Sequence, residues 1–153
     1  GLCLCFPAAG CVNGKLVLAP GDLNLTFKRY LESRVAFDIV DDHVVSIGGD
    51  GVDAALTESY FAAWGDRSAY ATSHVGWGMN IAARWESMAL YDKAQTNGTE
   101  QRAFAGNFLY STGANEVAGR HTLGHFDLPM RGCTVELDGK PVVVEGRLVP
   151  ELC

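Results

Sequence analysis

Short runs in which apolar and polar residues alternate, cut by glycine and proline, set the pattern of this chain. Lys15-Leu16-Val17-Leu18 predicts a strand that stops at the Pro20-Gly21 turn. Residues 34–40 alternate and predict another. Val44-Val45-Ser46-Ile47 follows Asp41-Asp42-His43, so the two runs predict a hairpin with His43 as a solvated turn residue. After the glycine-rich loop 48–51, Asp53 is the expected cap of a helix whose apolar face is Leu56, Tyr60 and Ala63, ended by Gly65-Asp66. A short strand leading to His74 comes next. Gly76-Trp77-Gly78 reads as a turn into a second helix, capped by Asn80, with Ile81, Trp85, Met88 and Ala89 as a core-facing stripe.

Residues 95–100 are a polar loop and residues 104–110 a buried strand. Residues 112–119 form a glycine-containing loop placed to act as a lid. The stretch 122–130 is apolar on both sides of His125-Phe126-Asp127. It predicts a largely buried strand that ends or bulges at Pro129. Asp138-Gly139 between residues 133–137 and 141–145 is the strongest hairpin signal in the chain. The first dozen residues read as loop. The expected fold class is α+β: a mainly antiparallel or mixed β-sheet with two helices, in one domain over residues 1–153, with any metal site on strand ends.

Composition narrows the function classes. With 48% hydrophobic and 20% charged residues the chain is neither disordered nor membrane-spanning. A net charge of −6 with no basic patch beyond Lys28-Arg29 argues against nucleic acid. An anionic substrate would need local positive charge from a metal or from an arginine such as Arg84, Arg120 or Arg131. Cys3, Cys5, Cys11, Cys133 and Cys153 match neither a zinc ribbon nor a ferredoxin spacing. They are expected to be free thiols of a cytoplasmic protein.

The candidate chemistry lies in His125-Phe126-Asp127 and His74. Residues two apart on an extended segment point the same way, so one strand can present both His125 and Asp127. Two histidines and one carboxylate are the ligand set of a mononuclear non-haem Fe(II) site with an open face. H-x-D alone is a weak signal, and a hydrogen-bonded structural histidine is the bland reading of each position. A buried His–Asp pair needs partners, however, and a metal satisfies both. His121 reads as a loop or supporting residue, because Gly119, Gly124 and Pro129 argue against a helix that would align it with His125.

Three stretches carry a resemblance: Ser73-His74-Val75-Gly76-Trp77-Gly78, residues 102–113, and Gly124-His125-Phe126-Asp127-Leu128-Pro129. Over residues 14–148 the chain resembles the C-terminal region of the 2,5-dihydroxypyridine 5,6-dioxygenases of bacterial nicotinate degradation, a family distantly similar to M29 aminopeptidases. The resemblance implies His74, His125 and Asp127 as Fe(II) ligands. It also implies a small aromatic substrate with O₂, and a separate N-terminal domain and further subunits as partners. This chain then reads as the C-terminal metal-binding domain of a longer protein, without its N-terminal domain. Three other readings stand beside it. One is an M29-like metallohydrolase using the same residues. The second is a non-catalytic module, incomplete without its missing domain. The third is a Ser- or Cys-nucleophile enzyme, the weakest, because no Gly-x-Ser-x-Gly elbow is present.

Overall fold

Alternation becomes strand pairing where the sequence predicts it, and tertiary contacts decide the rest. The computed structural model describes residues 1–152. In chain order the elements are β1 (Leu2–Cys5), β2 (Gly14–Leu18), β3 (Leu23–Asn24), β4 (Arg29–Tyr30), β5 (Val35–Val40), β6 (His43–Gly48), α1 (Val52–Trp64), β7 (Thr72–Gly78), α2 (Ser87–Leu90), α3 (Thr99–Ala103), β8 (Phe108–Thr112), β9 (Phe126–Met130), β10 (Val135–Leu137), β11 (Lys140–Val144) and β12 (Arg147–Leu148). The fold class is α+β, with antiparallel sheets and three helices, two of them single turns.

The central sheet has the order β1-β7-β8-β9. A second sheet, β2-β5-β6, contains the predicted hairpin, with Asp41 and Asp42 both at positive φ in the turn. His43 is not in that turn. It begins β6, opposite Val40, and bridges to Ala71. A small meander, β10-β11-β12, turns at Asp138-Gly139 as expected, and again at Glu145-Gly146. Both turns place two consecutive residues at positive φ, the geometry that matches the twist of a tight hairpin.

The main core lies between the second sheet, α1 and the inner face of β8 and β9. It includes Phe37, Ile39, Phe61, Tyr110, Phe126 and Leu128. Phe61 stacks on Phe126 with centroids 4.5 Å apart and planes 3° from parallel. That contact fixes β9 from its core side. The buried face of α1 is Ala54, Thr57 and Phe61; of the expected stripe, Tyr60 packs half-buried against the core, while Leu56 and Ala63 are exposed. Apolar residues surround this helix on all sides, so periodicity alone does not single out the inward stripe.

Asp53 caps nothing in its own helix, whose N-cap is Gly51. Its carboxylate is buried, accepts hydrogen bonds from the Glu32 and Ser33 amides, and pairs with Arg29 at 3.2 Å. It therefore organises the loop before β5.

Three further expectations change. The first residues are not loop: β1 pairs with β7 from Leu2↔Gly78 to Cys5↔Val75. Gly76 and Gly78 are strand residues rather than a turn, and they admit neighbouring backbone closely. A Cβ on Gly76 would lie 2.0 Å from the Cys3 carbonyl oxygen, and one on Gly78 2.2 Å from that of Phe104. The second helix shrinks to Ser87–Leu90, and Ile81 is 83% exposed. The Trp85 carbonyl is taken by Tyr30 Oη and Gln101 Nε2, and the Arg84 amide by Glu100. These tertiary bonds replace helical ones. Trp85 and Met88 do pack in a second core with Leu23 and Leu25, as their stripe predicts.

Candidate metal centre

The strand register builds this site. His74 lies opposite Ser111 across β7 and β8, and Ser111 lies opposite Asp127 across β8 and β9. Directly paired residues put their side chains on one face of a sheet. The result is a row of His74, Ser111 and Asp127 across three strands, with His125 one residue before β9. β9 runs through Pro129 without ending, because it is the edge strand of its sheet, where proline is tolerated.

The three predicted ligands meet. His125 Nε2 lies 3.2 Å and His74 Nε2 3.6 Å from the same oxygen, Asp127 Oδ1. The two imidazole centroids are 5.9 Å apart. Asp127 is buried, but the His125 side chain is 47% exposed, more open than its apolar neighbours predict. Leu123, two residues earlier, is 90% exposed, so the approach to the strand is not buried.

The hydrogen-bond inventory fixes which nitrogens face the carboxylate. His125 Nδ1 lies 2.8 Å from the Thr112 carbonyl oxygen, which can only accept, so Nδ1 carries the proton. Ser73 Oγ spends its proton on the Ala114 carbonyl, so His74 Nδ1, 3.1 Å away, donates to that hydroxyl. Both Nε2 atoms therefore aim toward one anionic oxygen. Lone pairs facing a carboxylate repel it unless a cation lies between them. That cation is a proton on one ring or a metal ion shared by all three groups.

Charge follows the same logic. Burial pushes the Asp127 carboxyl up, but hydrogen bonds from His125 and Ser111 and the Arg102 charge outweigh it and hold it well below the usual carboxylate range. Burial pulls His74 down, with the Asp127 charge opposing, which favours its neutral form. The hydrogen bond to Asp127 raises His125 against its own burial. Arg102 grips the second carboxylate oxygen, Oδ2, through Nε at 2.7 Å and Nη2 at 2.6 Å. Ser111 Oγ donates to Oδ1.

The donor types, two imidazole nitrogens and one carboxylate oxygen, suit a single divalent ion. Two donors about 2.1 Å from one ion, at right angles, stand about 3 Å apart. The Nε2–Oδ1 spacings are close to that. Among the described residues no group of three or more His, Cys, Asp or Glu side chains is arranged as it stands to hold a metal ion. Here the two imidazole Nε2 atoms lie directly against Asp127 Oδ1. Nδ1 donors on a carbonyl and a hydroxyl oxygen, and an arginine on the distal carboxylate oxygen, are contacts of the kind that orient ligands in known metal sites.

A family model described as 2,5-dihydroxypyridine 5,6-dioxygenase matches residues 1–150. The chain belongs to this family. It is 39% identical over 151 residues to the 2,5-dihydroxypyridine 5,6-dioxygenase of Pseudomonas putida KT2440, covering 97% of this chain and 43% of that relative. A solved structure titled as the dioxygenase of the same organism superposes with a TM-score of 0.93 at 38% identity, covering 98% of this chain and 44% of the other. The chain thus spans less than half the length of the dioxygenase relatives it matches.

Within this dioxygenase-family framework, sequence reasoning missed Ser111 and Arg102. Arg102 lies in a matching stretch, but nothing local marks it as the partner of Asp127. Of the arginines expected to supply charge, Arg84 sits beside Glu86, Arg120 pairs with Asp42, and Arg131 lies over Trp85 and Phe104. Asn107 holds Arg102 in place. Its Nδ2 donates to the Gln101 and Arg102 carbonyls, and its Oδ1 accepts from the Gly78 amide. His121 is exposed, and His43 bonds the Asp41 carbonyl. Cys3, Cys5, Cys11 and Cys133 are free thiols, and Cys153 lies outside the described residues. No helix among the described residues is long and apolar enough to cross a membrane.

Proposed function

We propose that this chain supplies the iron-binding part of a dioxygenase that opens the ring of 2,5-dihydroxypyridine or a related hydroxylated N-heteroaromatic. His74 Nε2, His125 Nε2 and Asp127 Oδ1 would hold Fe(II). The observation that carries this reading is the pinning of both imidazoles as Nδ1–H donors, which turns both Nε2 atoms toward one ionised carboxylate oxygen. Family membership supplies the reaction class.

A bound Fe(II) would offer neighbouring open positions to substrate oxygens and O₂, and a route for electrons from the electron-rich ring to O₂. The protein's own groups set the charge. Two neutral imidazoles and one carboxylate leave a divalent ion near +1, which suits a ring bound through one deprotonated hydroxyl. Arg102 neutralises the far side of Asp127 and keeps its Oδ1 turned toward the histidines. Ser111 holds the same carboxylate from the neighbouring strand. A metallohydrolase at the same residues fits less well, because position 74 carries a histidine in place of the carboxylate such a site would have. The one carboxylate of the three, Asp127, is already paired with Arg102.

The half-exposed His125 leaves the site open on one side. A groove of about 550 Å³ lined by Arg131 and Arg147 has none of the three residues in its wall. Protein beyond this chain, in the remainder of a longer polypeptide or in further subunits, would close the pocket and contribute the acid–base group. We place the reaction in cytoplasmic nicotinate degradation. O₂ consumption on adding 2,5-dihydroxypyridine to the anaerobically iron-loaded protein tests this reading. It predicts one O₂ per substrate and both ¹⁸O atoms in the opened product. Ring loss without O₂ consumption would overturn it.

A further inference from the structure

Phe6 is held out toward solvent beside the metal ligands by contacts on both of its flanks. It continues the alternation of Leu2 and Leu4 along β1, whose pairing ends at Cys5↔Val75, and its ring meets His74. The Phe6 and His74 centroids are 5.2 Å apart with planes tilted 45°. Among the described residues, the rings that meet His74 are those of Phe6 and His125. Yet Phe6 is 45% exposed. On its C-terminal side the Pro7 carbonyl accepts from the side chain of the buried Asn115 at 2.8 Å. A few residues on, the Gly10 and Val12 amides donate to the buried Asp42. These contacts hold the backbone on either side of the half-exposed ring.

Gly76 completes the arrangement. A Cβ there would stand 2.9 Å from Leu4 Cδ2 as well as against the Cys3 carbonyl. Its absence lets Leu4 lie flat over β7, two residues from His74. Leu4 and Phe6 then form an apolar shelf, ending in an aromatic face, next to the predicted ligand set.

We infer that Phe6 is a specificity-determining residue: its exposed ring is a wall against which a planar hydroxylated aromatic or heteroaromatic ring packs while its oxygens reach the metal. The inference rests on the function proposed above. Aromatic rings associate in tilted or offset pairs at centroid distances of 4.5–7 Å, so a flat substrate gains contact with Phe6 that a non-planar or very small ligand does not. A residue that merely shielded His74 would instead affect every ligand of the site, and iron retention, alike.

The test compares wild type, Phe6→Ala, Phe6→Leu and Phe6→Trp as iron-loaded proteins without O₂. Equilibrium binding of 2,5-dihydroxypyridine is measured beside binding of nitric oxide, a probe too small to touch the wall, and beside iron content. The expected result is about tenfold weaker ring binding in Phe6→Ala, a smaller loss in Phe6→Leu, and retention in Phe6→Trp. Nitric oxide binding and iron content stay at the wild-type level throughout. Unchanged ring binding in Phe6→Ala and Phe6→Leu overturns the inference. So does a parallel fall in ring binding, nitric oxide binding and iron content. Wild-type protein that takes up iron and nitric oxide but no hydroxypyridine overturns the functional reading itself, and the substrate wall with it.

Discussion

Asp127→Ala is expected to abolish stoichiometric Fe(II) binding, and His74→Ala to do the same, while His121→Ala is expected to leave it at the wild-type level. Asp127 is the one carboxylate among the three donors, and both Nε2 atoms face its Oδ1. Removing it takes away the anionic ligand and leaves Arg102, whose guanidinium lies 2.6 Å from the other oxygen, as an uncompensated positive charge beside the ion. Both effects oppose a cation. Removing His74 leaves two donors, too few to hold a single ion against water. Loss of an orienting contact around a metal ligand costs about 10–100-fold in affinity, and loss of the ligand itself costs more. Arg102→Ala and Ser111→Ala therefore fall between the ligand variants and the wild type. His121 is exposed and serves as the control. The measurement is iron per chain after anaerobic loading and desalting. Full iron content in both ligand variants would show that the metal, if bound, sits elsewhere.

Asp42→Ala is expected to lower folding stability by about 3–5 kcal/mol, the usual cost of removing one partner from a buried ion pair. Asp42 is fully buried and pairs with Arg120 at 2.7 Å, itself largely buried. The same carboxylate accepts from the Gly10 and Val12 amides. Arg120 reaches on to the Thr72 carbonyl, and the Thr72 amide and hydroxyl both donate to the Asp42 carbonyl. One ion pair thus joins the N-terminal segment, the β5–β6 turn, the loop before His125 and the start of β7, two residues from His74.

The acid response of this pair has a definite sign. Burial pushes the Asp42 carboxyl up, but the Val12 and Gly10 amides and Arg120 pull it below its ordinary 3.8. A carboxyl with a depressed folded-state pKa contributes stability above its unfolded value, and that contribution disappears as pH falls through the folded one. Wild-type stability therefore drops below about pH 4, and Asp42→Ala lacks this part of the drop. Chemical denaturation at pH 7 and at pH 3 measures both. An Asp42→Ala protein as stable as wild type at pH 7 would remove the ion pair from the account.

Much of the site was legible because it depends on local rules. His125 and Asp127 flank Phe126, and a period of two sends Phe126 into the core against Phe61 while the flanking pair faces away. β2, β5, β6 and the Asp138-Gly139 hairpin follow from alternation and turn chemistry in the same way. What was not legible depends on pairing between distant segments. Ser111 joins the site because β8 lies between β7 and β9, and no feature near Ser111 announces that order. Arg102 reaches Asp127 from α3 because Asn107 ties α3 to β7. Asp53, an apparent cap, serves a loop twenty residues away. The Gly76-Trp77-Gly78 turn became strand because β1, unpredicted, needed close backbone approach there. The helix expected from residue 80 onward lost to bonds between the Arg84 and Trp85 backbone and side chains on other elements.

The most direct test of the account is metal content of the wild-type protein after anaerobic loading with Fe(II), read by elemental analysis. The account predicts one iron per chain, displaced when His74 or Asp127 is removed. A stably folded protein that retains no iron would contradict it.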